Sequence, residues 1–310
     1  MYFFAQRVFY CARMDRNLLE IKIIECPRDA MQGMHDFIPT RVKADYINKL
    51  LKVGFDTIDF GSFVSAKAIP QLRDTVEVLK MLDLTATKTK LLAIVANNRG
   101  GDEAGGFDEI AYLGFPFSVS ETFQKRNTNS GIAESLKTVE HLQQICVNNK
   151  KKLVVYLSMA FGNPYGDEWN AGIVIKWSLA LQQMGVEIIS LADTVGMASP
   201  ADISSLFASL VPQLKGVELG AHLHTRPDDW KNKVAAAYTN GCRRFDGAIK
   251  GFGGCPMAGD QLTGNLATEN LVQYLREQNV SLPLNPGALD DAMLEAGNVF
   301  RKTSIVGNEN

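Results

Sequence analysis

The chain has 310 residues, 32 Lys plus Arg against 34 Asp plus Glu for a formal net charge of −2, with 46% hydrophobic and 21% charged residues. This balance excludes an electrostatic nucleic-acid binder, a polybasic membrane-surface protein and a disordered chain. No apolar run reaches the roughly 18 residues a transmembrane helix needs. The five cysteines, odd in number and without a Cys-x-x-Cys, exclude a disulfide framework and a structural zinc site and point to a reducing, cytoplasmic compartment.

The first segment, MYFFAQRVFYCAR, is basic and aromatic with no acid before Asp15. It has a faint presequence character but lacks Ser-rich composition and a long amphipathic stretch, so residues 1–18 are expected to form a disordered extension, upstream of a second potential start at Met14. β-branched, apolar runs then recur: Ile21–Cys26, Thr57–Phe60, Leu91–Ala96, Ile110–Phe115, Leu153–Phe161, Val186–Leu191, Val217–His222 and Arg244–Ile249. Between them lie apolar residues at three and four spacing, such as Val42-Tyr46-Ile47-Leu50-Leu51 and Ile132-Leu136-Val139-Leu142-Ile145, each one buried helical face. Eight βα units over roughly 250 residues predict an α/β fold, a (β/α)8 TIM barrel spanning 19–285. A doubly wound sheet would carry G-x-G-x-x-G after its first strand, where this chain reads CPRDAMQG. Gly114 and Pro116 make the fourth strand the least regular. Residues 286–310 form a C-terminal extension, with a helix over Leu289–Phe300 packed outside the barrel and a polar tail frayed from Thr303.

Barrel chemistry resides at the C-terminal ends of strands, which is where the unusual polar residues fall. Arg28 and Asp29 follow the first run, Asp59 ends the second, Asp193 ends the sixth, and His222 and His224 close the seventh in GAHLHT. Histidines two apart on a strand point to one face, at a separation that suits one metal ion. A lone core histidine is more often structural. The pair beside strand-end carboxylates favours ligation, and Asp29 as a hard oxygen donor favours Mg2+ or Mn2+ over zinc. Asp59 and Asp193 are equally well read as helix N-caps, while Glu121, Asn127 and Asn129 face the same mouth but singly read better as loop or cap residues. The eighth run is followed by KGFGGCPMAGDQLTGN, in which glycines surround Cys255. That composition suits a mobile lid bearing a proton donor more than a structural turn. Asn265 ends it, as an N-cap to a helix beginning near Leu266, as a metal ligand, or as both.

The segments ECPRDAMQG, DFGSFVS, SETFQKRNTNSGIAES, LADTVGMASP, AHLHT and KGFGGCPMAGDQLTGNLATEN, in this order, resemble the 3-hydroxy-3-methylglutaryl-CoA lyase family, a group of metal-dependent TIM-barrel carbon–carbon lyases, from about residue 20 to about residue 300. Gly-Phe-Gly-Gly-Cys-Pro and Gly-Asn-Leu-Ala-Thr-Glu are its specific parts. The resemblance implies retro-Claisen cleavage of the acyl-CoA to acetyl-CoA and acetoacetate with Mg2+ or Mn2+ as cofactor. It implies Asp29, His222, His224 and Asn265 as metal ligands, Arg28, Asp59, Asp193, His222 and Cys255 as catalytic residues, and Arg28 and Gln32 in substrate contact. An acyl-CoA is the partner implied, with neither nucleic acid nor membrane, and a homo-oligomer is compatible with the sequence.

Several positions depart from the family pattern. Asp59 replaces a Glu, Met257 replaces a Tyr, the loop from Cys255 to Asn265 is one residue longer, and His224-Thr225-Arg226-Pro227 lacks the carboxylate that usually follows the second histidine. Arg226 is accordingly expected to anchor a substrate carboxylate, since its planar fork binds one bidentately. A related aldolase or condensing enzyme acting on a 2-oxo acid is the alternative activity. A non-enzymatic scaffold is disfavoured, because it has no need of the ligand set, arginine and cysteine together.

Overall fold

The computed structural model describes residues 20–254 and 263–301. Eight parallel strands close into a barrel in sequence order: β1 (Lys22–Glu25), β2 (Thr57–Ser62), β3 (Lys90–Ile94), β4 (Ile110–Ser118), β5 (Lys152–Ser158), β6 (Ile188–Asp193), β7 (Glu218–Leu223) and β8 (Arg244–Gly247). Each predicted apolar run overlaps one of them, with ends displaced by at most three residues. The irregular fourth run becomes the longest strand, and Gly114 fits because a Cβ there would lie 2.5 Å from Ile94 Cδ1 and 3.0 Å from Leu92 Cδ2, inside the barrel. The spacing-based helices appear as Thr40–Leu51 and Ile132–Asn148, and the C-terminal one as Pro286–Arg301. No helix among the described residues is long and apolar enough to cross a membrane.

Two apolar layers result. A large one lies between strands and helices, and a small one of Leu92, Ile94, Tyr112, Val154, Tyr156 and Ile188 fills one side of the barrel interior. The other side carries most of the interior's polar groups. Register sets Tyr156, Ser190, Gly220 and Arg244 at one level and Ala192, His222 and Asp246 at the next towards the mouth. Asp59 does not end its strand as expected. β2 continues to Ser62, with a bulge against β3 between Asp59 and Gly61, the kind of irregularity that re-aims a side chain.

Glu25, at the end of β1, is buried and receives the Ile249 N–H at 2.9 Å and the Thr268 hydroxyl at 2.6 Å. Burial outweighs these bonds and pushes its carboxyl up to about 8. The folded chain therefore holds a proton there that the unfolded chain has released, so this contribution to stability is present below pH about 4.5 and lost as pH rises towards 8. Each tenfold gain in proton affinity on folding is worth about 1.4 kcal/mol, so the loss amounts to several kcal/mol. Urea unfolding at pH 5 and pH 8 should show it in the wild type and not in Glu25→Gln; an equal pH dependence in both proteins would refute the assignment.

Candidate active site

Arg28 and Asp29 lie in the short helix Pro27–Gln32 directly after β1, both buried. Arg28 spends most of its donors on its own surroundings. Nε donates to Asp59 Oδ2 at 2.9 Å, Nη2 to the same carboxylate, and Nη1 to Asp29 Oδ1 at 2.9 Å and Gln32 Oε1 at 2.8 Å. One N–H of Nη2 is left for a ligand in the cavity that Arg28 lines. Burial opposes its charge, but Asp59 first and then Asp29 overcompensate and hold the guanidinium protonated. Asp59 itself is fully buried beneath Arg28 and does not line the cavity. It fixes the arginine, and caps no helix.

Asp29, His222 and His224 offer donor atoms that all lie within 4.8 Å of one another. His222 Nδ1 is 3.1 Å from Asp246 Oδ2, which leaves Nε2 for the cluster. His224 lies one residue beyond β7, in an isolated antiparallel bridge to Asn265. Asn265 Nδ2 donates to Asp29 Oδ2 at 2.6 Å and to the Phe252 carbonyl at 2.9 Å. This approach depends on Gly253: at φ +96°, a Cβ would sit 2.7 Å from Asn265 Nδ2 and 2.8 Å from the Asp29 carbonyl oxygen. The expected N-cap role of Asn265 is corrected, since the following helix starts at Thr268 and its N-cap is Ala267.

The donor set suits a hard divalent cation. Burial would raise the Asp29 carboxyl, but Arg28 foremost, then His222, His224 and Asn265, hold it below the usual carboxylate range and thus ionised. Burial also lowers both imidazoles. It drives His224 down to about 4, with His222 adding to the effect, whereas Asp246 reverses it for His222, which ends above the ordinary value. A second group, Cys26, His222 and Asp246, has the spacing for a metal. It fits less well, because burial pushes the Cys26 thiol up and keeps it protonated, and Asp246 is engaged by His222.

The cavity over this cluster is lined by Arg28, Asp29, Gln32, His222 and His224, with Tyr156, Phe123, Asn127, Ile69 and Val64 around them. Asn127 thus joins the mouth as expected. Glu121 does not: it receives the Ile132 N–H at 2.9 Å and pairs with Lys125. Asn129 is the left-handed C-cap of the helix Glu121–Thr128, at φ 56°. Arg226 is exposed, at the turn before the helix Trp230–Thr239, and is not among the residues that line this cavity. Cys255 lies outside the described residues.

The N-cap reading of Asp193 is corrected. The residue neither lines the cavity nor caps a helix; it receives Lys233 Nζ at 2.9 Å and the Ala198 N–H at 3.0 Å. Lys233 also donates to the His224 carbonyl at 3.0 Å and the Gly196 carbonyl at 3.1 Å, so this buried pair braces the backbone of a cluster residue. Lys233→Met would leave the buried Asp193 without its ion-pair partner, at a cost of about 3–5 kcal/mol. A loss below about 1 kcal/mol in urea unfolding, the scale of an exposed pair, would refute the bracing role. Lys233 and Asp246 were missed in the sequence. Asp246 could have been found, because RFDG places it at a strand end like Asp59 and Asp193.

The HMGL-like family model matches residues 20–293. The hydroxymethylglutaryl-CoA lyase YngG of Bacillus subtilis is 35% identical over 257 residues, 82% of this chain and 84% of that protein. The cytoplasmic 3-hydroxy-3-methylglutaryl-CoA lyase of Rattus norvegicus is 32% identical over 91% of this chain and 80% of its own length. Among solved structures, a Bacillus subtilis HMG-CoA lyase matches with TM-score 0.84 at 30% identity, covering 92% of this chain and 94% of that one. An HMG-CoA lyase from Acinetobacter baumannii, in complex with coenzyme A and 3-methylmalate, matches with TM-score 0.84 at 29% identity over 91% and 92%.

Proposed function

Because the chain belongs to the HMGL-like family, we propose that it is a carbon–carbon lyase that cleaves 3-hydroxy-3-methylglutaryl-CoA to acetyl-CoA and acetoacetate. The observation that carries this reading is the cluster of buried Asp29 and His224 with partly buried His222, beside an arginine with one N–H left for a ligand. Asp29 and the two histidines would hold a divalent cation, with Asn265 as fourth ligand through its amide oxygen, and the oxygen-donor character favours Mg2+ or Mn2+. Bound there, the cation would supply Lewis acidity to the substrate's oxygens.

The protein's own groups account for the remaining chemistry. Cleavage takes the proton from the C3 hydroxyl, makes that oxygen the ketone of acetoacetate, and breaks C2–C3. The bonding pair passes to the thioester as an enolate. The remaining Nη2 N–H of Arg28 is assigned to the enolate oxygen, where a fixed donor acts most strongly on developing charge. Gln32, bonded to both Arg28 Nη1 and Asp29, keeps the two in register for substrate. His222 is assigned the hydroxyl proton as well as ligation. Nε2 serves one role at a time, and Asp246 at Nδ1 favours both by raising the basicity of the ring. Cys255 is assigned the return of a proton to C2. Asp59 and Asp193 act through Arg28 and Lys233 and are positioning residues. The free thiols of Cys26, Cys146 and Cys242 support a reducing, cytoplasmic setting.

Product analysis by mass spectrometry tests this reading. Among 3-hydroxyacyl-CoA and 2-oxo acid substrates, the hydroxymethylglutaryl thioester should be consumed with stoichiometric acetyl-CoA and acetoacetate. Turnover confined to 2-oxo acids would instead establish the aldolase alternative.

A further inference from the structure

Directly below the proposed metal cluster, the barrel interior carries a polar chamber that the reaction above does not use. Arg244 is fully buried there, and only its Nη1 has a partner, Glu218 Oε1 at 3.0 Å. Its stem passes over Gly220, where a Cβ would lie 3.1 Å from Arg244 Cδ and 3.2 Å from Ser190 Oγ, so glycine at this level is what admits the arginine. Of the eight buried side-chain atoms without a hydrogen-bond partner among the described residues, five line this chamber: Nε and Nη2 of Arg244, Oδ1 of Asp246, Oη of Tyr156 and Oγ of Ser190. Leaving such atoms unsatisfied costs about 1–3 kcal/mol each. Their chemistry is complementary. The guanidinium only donates, the carboxylate only accepts, and the two hydroxyls do both, which is the lining that holds ordered water.

Arg244 and Asp246 are two apart on β8 and face the same side of the sheet, yet they form no direct ion pair, and Asp246 is the carboxylate that receives His222. We propose that ordered water bridges Arg244 to Asp246, making Arg244 a positioning residue that fixes the His222 ring from beneath the active site. A continuous polar column then runs from Glu218 on the barrel floor through Arg244 and Asp246 to His222 at the mouth. It holds the proton on Nδ1 and presents Nε2 to Asp29 and His224.

The test pairs two variants with a direct look at the wild type. Arg244→Met combined with Glu218→Gln removes both charges of the ion pair at nearly constant volume; the thermal midpoint should fall, because Asp246 loses its cationic neighbour, and circular dichroism should show that the barrel stays folded. In the metal-free protein, at a pH high enough for the His222 ring to be neutral, its 15N spectrum should lose the dominant Nδ1–H tautomer, and Arg244→Lys should restore it in part. The Kd for Mn2+ should rise about 10-fold, within the range for outer partners of metal ligands. Only this last readout rests on the proposed metal site, so failure of that site leaves the tautomer result standing. A folded double variant with an unchanged His222 spectrum overturns the proposal. High-resolution diffraction from the wild type supplies a check independent of any variant: water within hydrogen-bond distance of both Arg244 Nη2 and Asp246 Oδ1 is expected, and a dry chamber overturns the bridge.

Discussion

His222→Ala is expected to abolish Mn2+ and Mg2+ binding and to reduce turnover to background, while the barrel stays folded. The ring is the joint of the site. One nitrogen is held by Asp246 at 3.1 Å, and the other lies in the donor cluster with Asp29 and His224. Its loss removes one donor of the cluster and takes from Asp246 Oδ2 the ring that it holds. The remaining Asp29, His224 and Asn265 hold a hard cation poorly, because such ions take six or more ligands in a near-fixed geometry and shed water reluctantly. Asp29→Ala should behave in the same way and also release Arg28 Nη1 and the Asn265 amide. Equilibrium dialysis with Mn2+ reads the first effect, and acetyl-CoA production reads the second. Metal binding that survives both substitutions would remove the cluster from the mechanism.

Arg28→Lys should lower kcat by roughly 10²-fold or more, the usual scale for losing one transition-state donor in a buried site. A lysine keeps the charge but not the fork. It cannot reach Asp59, Asp29 and Gln32 together as the guanidinium does and still offer an N–H to the cavity. Part of the effect should appear as stability, because Asp59 has side-chain exposure of 1% and no other ion-pair partner among the described residues. The separation is kinetic. A lost transition-state contact lowers kcat and kcat/KM together, whereas a purely structural role would shift the thermal midpoint and leave kcat within a few-fold.

The barrel was legible because its strands are short β-branched runs between helical periodicities, a pattern set by local burial. Arg28, Asp29, His222 and His224 were legible for the same reason, as polar groups that interrupt apolar strand ends. Asp59 misled because its strand does not stop there. The bulge that extends it depends on Gly61 lying against Thr75, where a Cβ would come within 2.5 Å of the Thr75 side chain, a contact with no local signature. The bracing role of Asp193 was not legible, because its partner Lys233 lies 40 residues away in the sequence. Arg226 followed the histidines in sequence, but the chain turns outward after His224, and neighbours in sequence do not share a cavity there. Asn265 came to the site by pairing across to the end of β7, through Thr225 N to Gly264 O at 2.9 Å and Leu266 N to Leu223 O at 2.9 Å, rather than by capping its helix.

The central claim is that the reaction takes place over Asp29, His222 and His224. Anomalous diffraction from crystals of the wild-type protein soaked in Mn2+ tests it most directly. One dominant manganese peak within bonding distance of Asp29, His222 Nε2 and His224 is predicted, with Asn265 turned to present its amide oxygen. A dominant peak elsewhere, or between Cys26 and Asp246 on the other side of the His222 ring, would contradict it.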